Sequence, residues 1–258
     1  MKRICLVLYF LFIGYSGYSQ TLKVAIAANL QSVMKVLTAN FNKKSGISVE
    51  TISGASGNLA TQIRNGAPFD MFLSADMANP EALFRSGFAL EKPRIYALGS
   101  LIVCSTSIKD LKNWKALILT NEVQKIALAN PEIAPYGKAA KESLEKFQIM
   151  DKIKDKLVTG ESVSQVNTYI TTGVASLGFT TRSFVVDAPP NVNVYWKEVE
   201  TDSYSPIRQG LVLLKHAQGN TLIMANKFYQ YIFGSQARKI WKQYGYKEAT
   251  SYFFIAPN

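Results

Sequence analysis

Four places in the sequence set small or neutral polar residues where a helix is about to begin: Ala28-Asn29, Ser56-Gly57-Asn58, Pro135-Tyr136-Gly137 and Ser162-Val163. The first turn of a helix carries N–H groups with no partner inside the helix, and the aligned peptide dipoles add about half a positive charge there. Several such ends meeting at one point hold an anion with neutral donors alone. Taken singly, each turn reads as an ordinary helix cap. The Gly-rich phosphate loops GxxxxGK and GxGxxG are missing from the strand–helix turns.

Other chemistries have less to work with. His216 is the one histidine, which leaves no His-based triad and no His-rich metal cluster. Asp70 and Asp76 flank an apolar run and read as turn or cap residues rather than as an acid–base pair. There is no Gly-x-Ser-x-Gly elbow. The two cysteines, Cys5 and Cys104, are too few for a disulfide framework or a Cys-rich zinc site. Cys104 ends the run Leu101-Ile102-Val103-Cys104 and reads as a small buried hydrophobe.

The elements that must position the four turns follow from hydrophobic period. Leu22 to Ala28 is an apolar, β-prone run, and Leu30, Val33, Met34, Leu37 and Phe41 then fall on one helical face, with Asn29 standing where an N-cap belongs. Strands are expected at 47–52 and 70–75, with helices from Leu59 and over Pro80 to Arg85. Ile95 to Val103 reads as one extended apolar run, Lys125 to Ala129 as a short strand and Ala134 to Gly137 as a turn. Val163, Val166 and Ile170 align on a helix; Ala175 to Thr180 and Ile207 to Leu214 are strands; helices over 221–233 and 235–244 are split by Gly234. Strands alternating with helices predict an α/β fold with mostly parallel sheets covered by helices.

Composition agrees with a packed, exported chain. The 258 residues are 48% hydrophobic and 18% charged, too apolar for disorder. Met1-Lys2-Arg3, ten apolar residues from Ile4 to Ile13, and Gly17-Tyr18-Ser19 before Gln20 form a secretory leader over residues 1–19. Cys5 lacks the small residue before it that a lipid attachment site needs. The formal charge is +11, and loss of Lys2 and Arg3 with the leader makes it +9. The lysines are spread along the chain, which reads as a solvated surface and not as a nucleic-acid stripe. A mildly positive field still favours encounter with a small anion.

Four stretches resemble the periplasmic molybdate-binding proteins of ABC importers, a family of type II substrate-binding proteins. They are Val24 to Leu30; Ser53 to Ile63 with Gly66 to Asp76; Asn130 to Ala140; and Phe228-Tyr229 with Gly234 to Ala237 and Tyr244-Gly245-Tyr246. The resemblance implies two α/β lobes with a ligand cleft between them, residues 20–98 and 206–258 forming one lobe and 99–205 the other. It implies a receptor with no catalysis and no cofactor, likewise a monomer in the periplasm that hands molybdate, and tungstate with it, to a membrane permease.

Carried over position by position, the oxyanion contacts are the Ala28 backbone, Asn29, Ser56, Tyr136 and the Val163 backbone N–H, with Gly57, Ser162 and Thr181 as secondary candidates. Some members carry Ser in place of Asn29 and Ala in place of Tyr136, and Thr181 stands where some members use a Tyr hydroxyl. Arg182 lies beside Thr181, and nothing in the sequence makes it a ligand. No free-cation site is implied. A receptor for another oxyanion on the same fold, such as sulfate or phosphate, and an exported hydrolase are the alternatives. Ferric binding would need clustered anionic donors such as an adjacent Tyr-Tyr pair, which is absent.

Overall fold

The computed structural model describes residues 21–248; the leader expected at 1–19 and the chain after 248 lie outside the described residues. In chain order the elements are β1 (Leu22–Ala27), a 3-10 turn (Ala28–Leu30), α1 (Gln31–Ser45), β2 (Val49–Gly54), α2 (Ser56–Arg64), β3 (Met71–Leu73), α3 (Ala78–Arg85), β4 (Arg94–Gly99) and β5 (Leu101–Ser105). Then follow α4 (Trp114–Leu117), β6 (Ile126–Ala129), α5 (Pro135–Lys146), a 3-10 stretch (Met150–Lys156), β7 (Leu157–Gly160), α6 (Val163–Thr171), β8 (Leu177–Thr181), α7 (Arg182–Val186) and β9 (Tyr195–Glu198). A last 3-10 turn (Thr201–Ser203), β10 (Ile207–Leu213), α8 (Gly219–Phe233) and α9 (Ser235–Gln243) complete it.

The strands form two five-stranded sheets, ordered β2-β1-β3-β10-β4 and β7-β6-β8-β5-β9. In each sheet the first three strands run parallel, and the antiparallel pairs involve β10 in one and β5 in the other. The chain leaves the first sheet after Gly99, enters the second at Leu101, and returns between β9 and β10.

Both faces of the first sheet are covered, as a parallel sheet requires. Val24 and Ile26 point to the face where α1 lays Val33, Met34, Leu37 and Phe41. Ala25 points the other way, against Leu59 and Ile63 of α2. Alternation by two along β1 thus meets a 3.6-residue stripe on each helix. In the second sheet Gly178 lets α6 come close: a Cβ there would fall 2.6 Å from Ile170 Cδ1. Cys104 is fully buried in this core, and burial pushes its thiol well above its ordinary value, so it packs as an inert hydrophobe.

Three local expectations are corrected. The Ile95 to Val103 run is two strands in different sheets, broken at Ser100, because hydropathy alone cannot see a crossing. Ala134 to Gly137 is not a free turn: Pro135 occupies the first position of α5, where its fixed φ and missing N–H cost nothing. Asn29 does not cap α1; it sits inside the 3-10 turn with its side chain buried. Strands β7 and β9 and helix α7 were not foreseen, being short and weakly periodic. Among the described residues no helix is long and apolar enough to cross a membrane.

Gly137 marks the closest approach of α5 to β6, since a Cβ on it would overlap the Ala129 carbonyl oxygen. Gly137→Ala should therefore lose about 1–3 kcal/mol by urea unfolding, although Ala is favoured over Gly in helices by about 1 kcal/mol. Equal or greater stability would contradict this close packing.

Candidate ligand-binding site

The sequence brings four helix starts to one place because each follows a strand of one sheet or the loop after it. The 3-10 turn leading α1 leaves β1, α2 leaves β2, α5 follows β6 and α6 follows β7. None of the four has a side-chain cap. The N–H groups of their first turns are free of internal partners by the geometry of a helix. In open α/β sheets this is the end at which ligands collect.

A small cavity, about 10 Å³, lies between the two sheets and is lined by Ala28, Asn29, Ser56, Tyr136, Ser162 and Val163, with Ala27, Gly54, Ala55, Ala75, Ala134 and Pro135 around them. That is room for about one water-sized sphere, so the walls stand close together. No charged side chain lines it. A wider groove of about 400 Å³ shares Ala75, Ala134 and Pro135 with it, and there the charged residues gather: Asp76, Glu132, Lys138, Glu142 and Arg208. The larger space is thus not where the neutral donors converge.

The donors can be followed atom by atom. The Ser56 hydroxyl oxygen accepts the Ala75 N–H at 3.1 Å, which leaves its own proton to give. Tyr136 is 2% exposed; its hydroxyl lies beside the Asn29 side chain and against the Gly99 backbone, where a Cβ would overlap it. Burial holds its phenol well above the ordinary tyrosine value, so it keeps its proton. Asn29 is more heavily engaged than its type suggested. Its Nδ2 donates to Gln209 Oε1 at 2.7 Å and to the Tyr246 hydroxyl at 3.1 Å. Its carbonyl accepts from Tyr246 at 2.7 Å and from Ser183 at 2.9 Å. Tyr246 reaches this point because Leu98 and Lys247 exchange two backbone hydrogen bonds of 2.9 Å, stitching the C-terminal segment to β4.

Two secondary candidates lie elsewhere. The Gly57 N–H is already given to the Ile133 carbonyl at 3.0 Å, and Gly57 faces the wider groove. This bond joins α2 to the loop before α5, so Gly57 ties the two halves together. Thr181 Oγ1 pairs with Ser183 Oγ at 2.7 Å and does not border the cavity. Arg182 stacks its guanidinium 3.8 Å over the Trp196 ring. Further bonds cross between the halves: Ser32 donates to Asp187 at 2.6 Å, and Asn58 donates to Glu161.

The two acids that flank β3, Asp70 and Asp76, have structural partners. Asp76 accepts from the Asn79 N–H at 2.9 Å at the start of α3. Asp70 accepts from the Lys23 N–H at 2.8 Å and lies 2.8 Å from His216 Nδ1. Among the described residues no group of three or more His, Cys, Asp or Glu could hold a metal ion. Gln209, Tyr246 and Ser183, which brace Asn29, and Tyr96, which bonds Gln209, carry no signal of this role in the sequence. They lie far from Asn29 along the chain, Gln209 and Tyr96 in strands, Ser183 in α7 and Tyr246 after α9, and single polar residues so scattered carry no motif.

A two-lobed α/β body with a neutral, donor-lined cavity between its sheets is the build of a solute-binding protein. The sequence model of the bacterial extracellular solute-binding protein family matches residues 22–247, and the chain belongs to that family. It is 37% identical over 226 residues to the molybdate-binding protein ModA of Azotobacter vinelandii, covering 87% of this chain and 88% of that protein. It is 35% identical over 223 residues to ModA of Rhodobacter capsulatus, covering 86% of each. The solved structure of the A. vinelandii periplasmic molybdate-binding protein is similar at a TM-score of 0.80 and 31% identity, covering 92% of this chain and all of that one. The sulfate-binding protein SubI from Mycobacterium tuberculosis H37Rv, at 15% identity and a TM-score of 0.70 over 92% of both chains, shares the fold.

Tyr96, Tyr136 and Tyr246 are all buried, and desolvation raises each above the ordinary phenol value of 10.0. The unfolded chain releases these protons near pH 10, whereas the folded chain retains them. Their contribution to stability is therefore complete below about pH 10 and is lost as pH rises further. Urea melts should be insensitive to these groups from about pH 6 to 9 and fall above about pH 10, less steeply in Tyr136→Phe. An unchanged alkaline slope in Tyr136→Phe would contradict the burial of that hydroxyl.

Proposed function

We propose that this protein is the extracytoplasmic receptor of an ABC importer, that it closes on molybdate, accepts tungstate at the same site, and delivers the anion to a membrane permease. In this reading it is an exported monomer; residues 20–98 and 206–258 form one lobe and 99–205 the other, with the cavity between them as the binding site. The observation that carries the proposal is the cavity wall: four uncapped helix starts with hydroxyl groups and no charged side chain. The molybdate-binding relatives that match most of the chain support the same ligand. The family is one of solute binding, which leaves the hydrolase alternative without support.

The chemistry favours a fully ionised tetrahedral oxyanion. Molybdate has no proton near neutral pH and only accepts hydrogen bonds, so a site made of donors suits it and a carboxylate would repel it. The roles we assign are donation by the Ser56 hydroxyl, the Tyr136 hydroxyl, the Val163 N–H, the Ala28 backbone and Asn29. Five hydrogen bonds to a charged acceptor contribute about 7–15 kcal/mol gross. Association opposes them by about 4–15 kcal/mol. Tight binding therefore requires donors already in place, which the short bonds across the halves support. Sulfate is smaller, and enclosing it would leave buried N–H groups unpaired.

Calorimetry with molybdate, tungstate and sulfate tests the proposal. Molybdate and tungstate should bind and sulfate should be much weaker; heat from sulfate alone would overturn the ligand. Ser56→Ala should weaken molybdate by at least about tenfold. Val163→Ala should change little because only its backbone acts. Val163→Pro keeps a favoured residue at the first helical position yet removes the N–H, and should abolish binding. Equal losses from the two Val163 changes would contradict the backbone role. Gly99→Ala, which drives a methyl into the Tyr136 hydroxyl, should weaken molybdate as much as Tyr136→Phe does.

A further inference from the structure

Gln209 is fully buried on β10, at a register shift between Gln209 and Gly210 that bends the strand. Its side chain sits between Asn29 and Tyr96 and belongs to none of the cavity walls. Three observations about this cluster do not balance. Asn29 Nδ2 spends both protons, on Gln209 Oε1 and on Tyr246, and Asn29 Oδ1 is buried with no hydrogen-bond partner. Gln209 Nε2 is likewise buried with no partner. Tyr96 has one proton and two acceptors within reach, the Ser74 carbonyl at 3.0 Å and Gln209 Oε1 at 3.1 Å.

Both amides have nearly the same shape at either end, so each can turn half a revolution about its last bond in the space it holds. Turning both keeps the 2.7 Å contact and reverses it. Gln209 Nε2 then donates to Asn29 Oδ1 and to the Tyr96 oxygen, and the Tyr96 proton is left for Ser74. The Asn29 bond to Tyr246 is given up. The Asn29 NH2 group takes the place now held by its unpartnered oxygen, on a residue that lines the cavity. One bond lost and one gained leaves the two settings near balance. An acceptor at the Asn29 end decides between them, because only then is that NH2 group satisfied.

We infer that Gln209 is a positioning residue for the anion: it accepts from Asn29 in one setting, donates to it in the other, and in the second aims the Asn29 NH2 group at the bound oxyanion. This rests on the oxyanion reading of the cavity. The role acts through Asn29 and not by contact with the ligand.

A double-mutant cycle tests it, with molybdate as the probe and calorimetry as the readout. Gln209→Met, which fills the same length and can neither donate nor accept, should weaken molybdate about tenfold when Asn29 is present. In the Asn29→Ala background the same change should matter less than about twofold. A residue that merely supports the strand would cost affinity equally in both backgrounds, and that result, or no loss in either, would overturn the inference. A second measurement uses the wild-type chain, labelled with nitrogen-15. Side-chain amide signals of both Asn29 and Gln209, assigned by their disappearance in the variants, should move together on molybdate addition; a Gln209 pair that stays in place overturns the inference even if the Met variant does not fold. Wild-type protein that takes up no molybdate would sink the reading of the site itself, and this inference with it. Binding with additive losses would sink only the role of Gln209.

Discussion

An anion in a site with no counter-charge must be met by hydrogen-bond donors whose positions are set before it arrives. The helix starts and hydroxyl groups around the cavity follow from that constraint, and Asn29, whose Nδ2 is held by Gln209 and Tyr246, is the donor that has to turn. Water satisfies an oxyanion by reorienting; a protein can do so only by holding N–H and O–H groups still. Helix starts supply them because their first N–H groups cannot be used inside the helix. A single end gives two or three donors on one side, so a tetrahedral ion has to be approached from several directions. Two sheets whose strand ends face each other provide those directions, and a chain that crosses between them at Ser100 and after β9 links them.

The fit between halves depends on a few positions where a side chain would intrude. Gly99 gives way to the Tyr136 hydroxyl, Gly137 lets α5 lie on β6, and Gly57 lies within reach of Ile133, a Cβ there falling 3.1 Å from the Ile133 Cα. None of these three is explained by backbone freedom, since none has a positive φ. Their smallness is used for approach. A methyl at any of them moves a donor or separates the halves, so the same residues that shape the fold also shape the cavity.

Much of this was legible in the sequence, and for a physical reason. The β1–α1 unit declares itself because an apolar β-prone run gives way there to a strong helical period, whereas each helix start read alone is an ordinary cap, and Ser56 and Val163 are singled out as contacts by the family resemblance. What stayed hidden was non-local. Hydropathy reads 95–103 as one run; the expectation of a crossing within it comes from the family resemblance alone, because which sheet each half joins is not a local property. The burial of Asn29 among Gln209, Tyr246 and Ser183 joins residues up to 217 positions apart, and no spacing rule connects them. Gly57 and Thr181 are secondary candidates carried over from the resemblance, Thr181 because it stands where some members use a Tyr hydroxyl; the structure gives the Gly57 N–H to Ile133 and pairs Thr181 with Ser183.

The most direct measurement is an anomalous difference map at the molybdenum edge, from crystals of the full mature chain grown with molybdate. The account predicts one strong peak between Ser56 and Tyr136, enclosed by hydroxyl and backbone N–H groups from both halves, with no lysine or arginine nitrogen in contact. A peak in the wider groove beside Lys138 and Arg208, or an ion gripped mainly by charged side chains, would contradict it.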